Sequence, residues 1–157
     1  MKEFKQSEAV KIRLAEKQDT PKLLHMIKAL AAFNDDISQA TAETLERDIW
    51  AENPILTVFV AEADTGLVGY AAVCERVALH FGRRGMDIHH LFVAEGYRHM
   101  GLGRRLIETC KSHAIECGSD YLLVSTRDEN DRAKAAYIAC GFELRRGRPA
   151  HFGMPLK

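Results

Sequence analysis

The stretch LFVAEGYRHMGLGRRLIETC, from Leu91 to Cys110, joins an apolar run, a charged turn with two closely spaced glycines and a helical pattern. A strand that passes through such a turn directly into a helix leaves the first N–H groups of the helix without intrahelical partners. The helix dipole adds partial positive charge at the same end. The stretch therefore predicts a strand–turn–helix unit that can hold an anion.

Two common phosphate loops do not fit this turn. The dinucleotide fingerprint G-x-G-x-x-G finds Gly101 and Gly103 but meets Leu106 where the third glycine belongs. The P-loop pattern finds Gly96 and Gly101, but neither the lysine nor the hydroxyl residue that must follow. These departures disfavour a nicotinamide-dinucleotide protein and an NTPase, so the anion must be of another kind.

Strand and helix patterns fill the rest of the chain. The predicted strands are 9–16, a hairpin over 55–80, then 86–93, 120–126, 142–146 and 150–156, and the predicted helices are 19–33, a segment from Thr41 to Pro54, Leu102 to Glu116, and 130–140. No linker divides the sequence. One mixed α/β sheet with helices on both faces, in a single domain over residues 1–157, accommodates this order.

Composition narrows the function classes. Lys plus Arg (22) equals Asp plus Glu (22), so nothing favours nucleic acid. No apolar run approaches the roughly 18 residues that cross a bilayer, and the N-terminus has no signal-like apolar core, so we expect a cytoplasmic protein without membrane contact. The four cysteines form no C-x-x-C pair and have no metal spacing with the histidines, so no metal is predicted.

The turn and a second motif together resemble one family. Arg98, Gly101 and Gly103 form R-x-x-G-x-G after a strand, which resembles the acetyl-CoA pyrophosphate loop of GNAT-type N-acetyltransferases. The segment DENDRAKAAYIACGFE resembles the second signature of that family, in which an asparagine precedes a helix with a tyrosine and a final Gly-Phe pair. Those places are taken by Asn130, Tyr137, Gly141 and Phe142. The resemblance covers nearly the whole chain, from about Val10 to Leu156.

The resemblance implies the GNAT acyl-CoA N-acyltransferase fold: a mixed, mostly antiparallel central sheet of six to seven strands flanked by about four helices. It also implies acetyl-CoA as cosubstrate, with pyrophosphate on the turn and the pantetheine arm along the strand before it. The residues expected to bind it are Leu91, Phe92, Val93, Arg98, His99, Met100, Gly101, Leu102, Gly103, Arg104, Asn130 and Tyr137.

The reaction that the resemblance implies is direct attack of a primary amine on the acetyl carbonyl, with one group to remove a proton and another to protonate the thiolate. Tyr137 matches the tyrosine of the family and is the expected acid. His89 stands where related enzymes carry a glutamate and is the expected base. Two alternatives stay open for the base. One is His90, if a bulge turns it to the same side of the strand, and the other is a water chain. An acyl-enzyme on Cys140 is the competing route.

The acceptor is less constrained. Pockets of this fold draw on the first two helices and their connection, where Asp35 and Asp36 either attract a cationic amine or form a solvated turn. We expect a small-molecule amine, such as a polyamine, a diamine or an amino-acid-like compound. A protein or peptide N-acetyltransferase and a non-catalytic acyl-CoA-binding domain stay open, as does a homodimer.

Overall fold

Five strands form one sheet in the order β1-β2-β3-β4-β5. In the computed structural model, which describes residues 9–147 and 150–156, these strands are β1 (Lys11–Leu14), β2 (Thr57–Ala63), β3 (Gly66–Ala78), β4 (Arg83–Val93) and β5 (Tyr121–Val124). The first three pairings are antiparallel, and β4 pairs with β5 in parallel. The predicted mixed, mostly antiparallel sheet is confirmed.

Helices connect the strands where the apolar periodicity places them: α1 (Thr20–Phe33), α2 (Ala42–Leu45), α3 (Leu102–Glu116) and α4 (Asp131–Ala139). A π-helical turn, Glu46–Trp50, continues α2. Thr41 caps α2, because its Oγ1 accepts from the Thr44 amide at 3.3 Å while Thr44 Oγ1 accepts from the Thr41 amide at 2.9 Å. Threonine therefore replaces the glutamate of a capping box.

The chain divides into two compact units, one up to Ser125 and one from Thr126 onward. The first contains the sheet with α1, α2 and α3, and the second contains α4. A single domain over residues 1–157 stays a prediction.

The two faces of the sheet carry different helices. Val58 and Val60 of β2 pack in one apolar cluster with Leu23 and Met26 of α1. Successive side chains of a strand point to opposite faces, so Phe59 lies on the other face, where its ring contacts His113 of α3 with the centroids 5.3 Å apart. Helices α1 and α3 therefore cover opposite faces and bury both.

The two strands predicted after Gly141 are absent, and this part of the prediction is wrong. Residues 142–147 and 150–156 form neither helix nor strand, so five strands replace the predicted six to seven in the part of the chain that is described. The alternating apolar residues of these segments have no face to cover, since Leu144, Phe152, Met154 and Leu156 are exposed. Glycine and proline also interrupt this region. Pro149, in the predicted turn, lies outside the described residues.

A buried ion pair fastens β1 to the start of α1. Arg13 binds Asp19 through Nη1–Oδ2 and Nη2–Oδ1 contacts of 2.8 and 3.0 Å, and its Nε donates to Glu62 Oε2 at 2.9 Å. The Asp19 carboxylate also accepts from the Glu16 amide at 2.7 Å. Asp19 is 92% buried, and the Arg13 guanidinium lowers its pKa. These contacts hold α1, which carries one wall of the site described below.

We expect Asp19→Asn to lower the free energy of unfolding at pH 7 by about 1–3 kcal/mol, because Arg13 loses a charged partner. The native pKa of Asp19 is depressed, so its contribution is present above the unfolded pKa of about 3.9 and is lost as the pH falls through the native value. Denaturation at pH 7 and pH 3 measures the difference in free energy of unfolding between wild type and variant, and this difference should be smaller at pH 3. The exposed Glu52→Gln serves as control. An equal difference at both pH values would contradict this role.

Candidate active site

Strand β4 leaves β5 halfway along its length. Pairing with β5 runs from Gly85 to Ile88 only, where Ile88 lies opposite Val124, whereas pairing with β3 continues to Val93. Over residues 89–93, therefore, no described strand pairs with the second edge of β4. This separation opens the edge on which the resemblance places pantetheine.

The amides on the open edge can be assigned from the alternation of the strand. The Ala94 amide donates to the Val68 carbonyl at 2.8 Å, so Ala94 faces β3. Backbone groups of adjacent residues point to opposite sides of a strand, so Phe92 also faces β3. Leu91 and Val93 consequently direct their N–H groups to the open edge, and Phe92 does not.

The glycine turn ends where α3 begins. Gly101 is the N-cap of α3 at φ +77°, a left-handed conformation that favours glycine, and no side chain caps this end of the helix. His99 is also left-handed, at φ +63°. Leu102, Gly103 and Arg104 form the first turn, so their amides lie at the positive end of the helix dipole. This is anion-binding geometry.

Gly103 is not required by packing of the protein itself. Among the described residues, a Cβ built on it would meet only Val93 Cγ2, at 3.9 Å, which is ordinary van der Waals distance. Its φ is not in the left-handed region either. Close helix packing among the described residues therefore does not explain this glycine, and the position leaves room for a ligand to approach the backbone.

Arg98, the first residue of the R-x-x-G-x-G pattern, stabilises the turn. Its Nε donates to the Val93 carbonyl at 2.9 Å, and its guanidinium carbon lies 5.3 Å from the ring centroid of Phe33, at the end of α1. The side chain thus connects the end of β4, the turn and α1. His99, Met100 and Arg104 are exposed beside it.

A β-bulge at His89 brings two histidines to one side of β4. Val73 pairs with Ile88 and Ala72 pairs with His90, so His89 is the extra residue. The two imidazole rings are stacked, with centroids 4.5 Å apart and planes 8° apart. The condition set for His90 as an alternative base, a bulge, is therefore met.

His90 is held by a buried tyrosine. The hydroxyl of Tyr70, on β3, lies 3.0 Å from His90 Nδ1, and Tyr70 is 1% exposed. Burial, and secondarily the neighbouring His89, lowers the pKa of His90 to about 4, so its ring is neutral at pH 7. Burial raises the pKa of Tyr70, which keeps the phenol protonated.

Both histidines line a cavity of about 140 Å³ between the sheet and the first two helices. Its apolar walls come from α1, α2, the π-helical turn that follows α2, and the chain at the start of β2, and they include Ile27, Ile49 and Leu56. Asp48, in the π-helical turn, is the single carboxylate among the lining residues. Arg47 binds it through contacts of 2.7 and 2.9 Å and lowers its pKa, so the carboxylate is ionised at neutral pH.

Two of the predicted residues lie in the second unit. Asn130 is the N-cap of α4, and its Oδ1 accepts from the Ala133 amide at 3.0 Å. Tyr137 lies on α4 with its ring 6.1 Å from that of Phe142. Burial, with a smaller effect of Cys140, raises the pKa of Tyr137, so this phenol is a proton donor at neutral pH.

Sequence reasoning missed Tyr70 and Asp48. Tyr70 lies within LVGYAAVC, which indicates only a buried strand, and Asp48 follows an ordinary helical pattern. Asp35 and Asp36, for which the sequence left open a role in attracting a cationic amine or a solvated turn, are exposed in the α1–α2 connection and are not among the lining residues. A polar side chain inside an otherwise apolar strand was the available signal for Tyr70.

With its split sheet, glycine turn and helix, the chain belongs to the acetyltransferase (GNAT) family, whose profile matches residues 24–142. It is an acetyl-transfer enzyme by this membership. Thialysine N-epsilon-acetyltransferase of Bos taurus is 28% identical over 142 residues, which cover 84% of this chain and 83% of the relative.

Solved structures share the fold. The structure of a probable acetyltransferase superposes with a TM-score of 0.81 at 20% identity, over 94% of this chain and 99% of that one. An aminoglycoside acetyltransferase from an uncultured soil metagenomic sample, in complex with sisomicin, gives a TM-score of 0.76 at 22% identity, over 94% and 97%. At these identities the likeness concerns the fold alone.

Two kinds of feature are absent from the residues that the structure describes. No helix there is both long enough and apolar enough to cross a membrane. No group of three or more histidine, cysteine, aspartate or glutamate side chains there is arranged to hold a metal ion.

We expect His90→Gln to reduce the acid sensitivity of the fold. A histidine whose native pKa is about 4 binds fewer protons when folded than when unfolded, so it removes stability as the pH falls from about 6.5 towards 4. Chemical denaturation should show that the free energy of unfolding falls less between pH 7 and pH 5 in the variant than in wild type. In the control His25→Gln, at an exposed position, the free energy of unfolding should fall as much as in wild type. Equal losses in wild type and His90→Gln would contradict the buried, neutral state.

Proposed function

We propose that this enzyme transfers the acetyl group of acetyl-CoA to the primary amine of a small molecule, by direct attack within a ternary complex. One observation carries the proposal: the open edge of β4 begins at the histidine-lined cavity and ends at the glycine turn. A thioester held along this edge has an anion site at one end and a proton acceptor at the other. Amine acetylation requires this combination.

The first unit fits the cosubstrate. The uncapped amides at the start of α3 suit a pyrophosphate, and the open space beside Gly103 lets it approach. The N–H groups of Leu91 and Val93 can donate to the pantetheine arm and to the thioester carbonyl. An amide directed at that oxygen stabilises the negative charge that develops as the amine adds. Acetyl-CoA itself supplies the activated acetyl group.

Proton transfer is assigned to one histidine and one tyrosine. A substrate ammonium has a pKa near 10, so it must lose a proton before its nitrogen attacks. His89, exposed at the cavity, is the proposed acceptor of that proton, directly or through water. As the new C–N bond forms and the C–S bond breaks, Tyr137 is the proposed donor to the departing thiolate, consistent with its raised pKa.

The cavity supports a small acceptor. A volume of about 140 Å³ holds a short chain and not a folded peptide segment. Its apolar walls suit methylene groups, while the ionised Asp48 attracts a cation. A diamine or a lysine-like amine, such as the compound named in the Bos taurus relative, combines both features. A homodimer and a cytoplasmic location stay predictions from the sequence.

The first test is a thiol-release assay with acetyl-CoA and a panel of thialysine, lysine, spermidine, diaminopropane, aminoglycosides and short peptides. We expect turnover on the diamine and lysine-like compounds. Tyr137→Phe should lower kcat about a hundredfold or more, in the range of general acid catalysis, with acetyl-CoA binding retained. Tyr121→Phe, a change of the same kind on β5, is the control.

Other outcomes would select the alternatives. Turnover on peptides alone would favour a protein N-acetyltransferase, and acetyl-CoA binding without any turnover would favour a silent binding domain. Parallel-line initial-rate kinetics would indicate an acyl-enzyme and return attention to Cys140. Unchanged kinetics in Tyr137→Phe would remove that residue from the mechanism.

Gly103→Ala separates the ligand role of this glycine from a packing role. We expect the free energy of unfolding to stay the same or to rise by up to about 1 kcal/mol, because alanine favours a helix and the added Cβ meets only Val93. The Kd for acetyl-CoA should rise about tenfold, equivalent to about 1.4 kcal/mol. Calorimetry and denaturation measure the two quantities. Ser112→Ala, on the exposed side of α3, should leave the Kd unchanged. Unchanged affinity in Gly103→Ala would contradict the pyrophosphate assignment.

A further inference from the structure

The hydroxyl of Tyr70 and Nδ1 of His90 form an isolated buried hydrogen bond. The two atoms are 3.0 Å apart, and the tyrosine is 1% exposed. Within the described part of the chain, His90 is the sole hydrogen-bond partner of this hydroxyl. Among the described aromatic rings, the Tyr70 ring contacts those of His90 and Phe92, at centroid distances of 6.1 and 6.0 Å, and it packs in the apolar cluster that contains Leu23 and Val58.

The bond has two possible directions, and burial distinguishes them. If the hydroxyl donates, its hydrogen points to the lone pair of His90 Nδ1, and the neutral imidazole carries its own hydrogen on Nε2. If Nδ1–H donates instead, the hydroxyl hydrogen of Tyr70 has no acceptor among the described residues. A buried donor without an acceptor is costly, so the first arrangement is favoured.

We propose that Tyr70 is a positioning residue: its hydroxyl donates to His90 Nδ1, holds that ring in the Nε2–H tautomer, and thereby leaves His89 to take the substrate proton. This proposal rests on the function proposed above. In this tautomer neither nitrogen of His90 has a free lone pair, because Nδ1 accepts from Tyr70 and Nε2 carries a hydrogen. His90 is then a hydrogen-bond donor and not a base.

The surroundings agree with this division of roles. The titratable side chains that line the cavity are His89 and His90 on β4, Tyr70 on β3, and Asp48 after α2, and the lining residues from α1 and β2 are apolar. The low pKa of His90, about 4, keeps the ring neutral. A neutral His90 stacked on His89 spares that residue a positive neighbour when it takes a proton.

The tautomer can be observed directly. Two-bond ¹H–¹⁵N correlation spectra of the full chain with ¹⁵N-labelled histidine distinguish a protonated from an unprotonated ring nitrogen, and His90→Gln identifies the His90 signals. At pH 7 we expect Nε2–H and a bare Nδ1 in wild type, and averaged signals from two tautomers in Tyr70→Phe. Tyr121→Phe should match wild type. An Nδ1–H tautomer in wild type overturns the proposal, even if Tyr70→Phe does not fold. So do identical His90 signals in wild type and a folded Tyr70→Phe.

Kinetics test the consequence for catalysis. With the panel amine of highest kcat/KM, His89→Gln should lose the acid-side pH dependence of kcat/KM, whereas His90→Gln should keep it. Tyr70→Phe should lower kcat about fivefold, the equivalent of one hydrogen bond, with the Kd for acetyl-CoA unchanged. Loss of the acid-side dependence in His90→Gln, with retention in His89→Gln, overturns the assignment. If no amine turns over, the proposed function fails, and the spectra alone decide the role of Tyr70.

Discussion

The pairing of β4 and β5 ends at Ile88 and Val124, and the whole site depends on this point. Beyond it β4 stays extended, because β3 pairs with it as far as Val93 and Arg98 binds the Val93 carbonyl at 2.9 Å. One edge of an ordered strand is thus left with unpaired donors and acceptors. Such an edge readily pairs with another extended chain, and the proposed function assigns it to the pantetheine arm. The glycine turn and α3 then follow at the end of this edge, where the proposed function places the phosphates.

The bulge at His89 determines where the two histidine rings of β4 point and which of its later N–H groups face the open edge. In a regular strand the two histidines would point to opposite faces, and one of them would lie on the face covered by α3. The extra residue turns both rings to the cavity on the α1 face. It also changes which amides reach the open edge, because a shift of one residue reverses the direction of every later N–H group. Without the bulge, the amides of Leu91 and Val93 would bond to β3. One inserted residue therefore supplies both the paired imidazoles and the outward amides.

Much of this arrangement could be predicted from the sequence, because its causes are local. Apolar periodicity located α1 and α3, and Gly101 and Gly103 indicated an anion site. The bulge could not be predicted, since no glycine marks it and register depends on β3. Tyr70 and Asp48 join the site only through tertiary packing. The prediction of two strands after Gly141 failed although its signal was local. Polar and apolar residues alternate there in the sequence, but the described sheet contains no strand after β5.

The charges around the cavity fit a cationic acceptor only if the binding group and the base are different residues. The Asp48 carboxylate, kept ionised by Arg47, attracts an ammonium, but a carboxylate that binds an ammonium also favours its protonated form. The proton must therefore leave through another group, and a charged imidazole nearby would repel the substrate. Burial against Tyr70 keeps His90 uncharged, and the exposed His89 can take the proton and return it to solvent. Under the proposed function, Asp48 attracts the ammonium, His90 stays uncharged and His89 takes the proton, and the bulge brings the two histidines together.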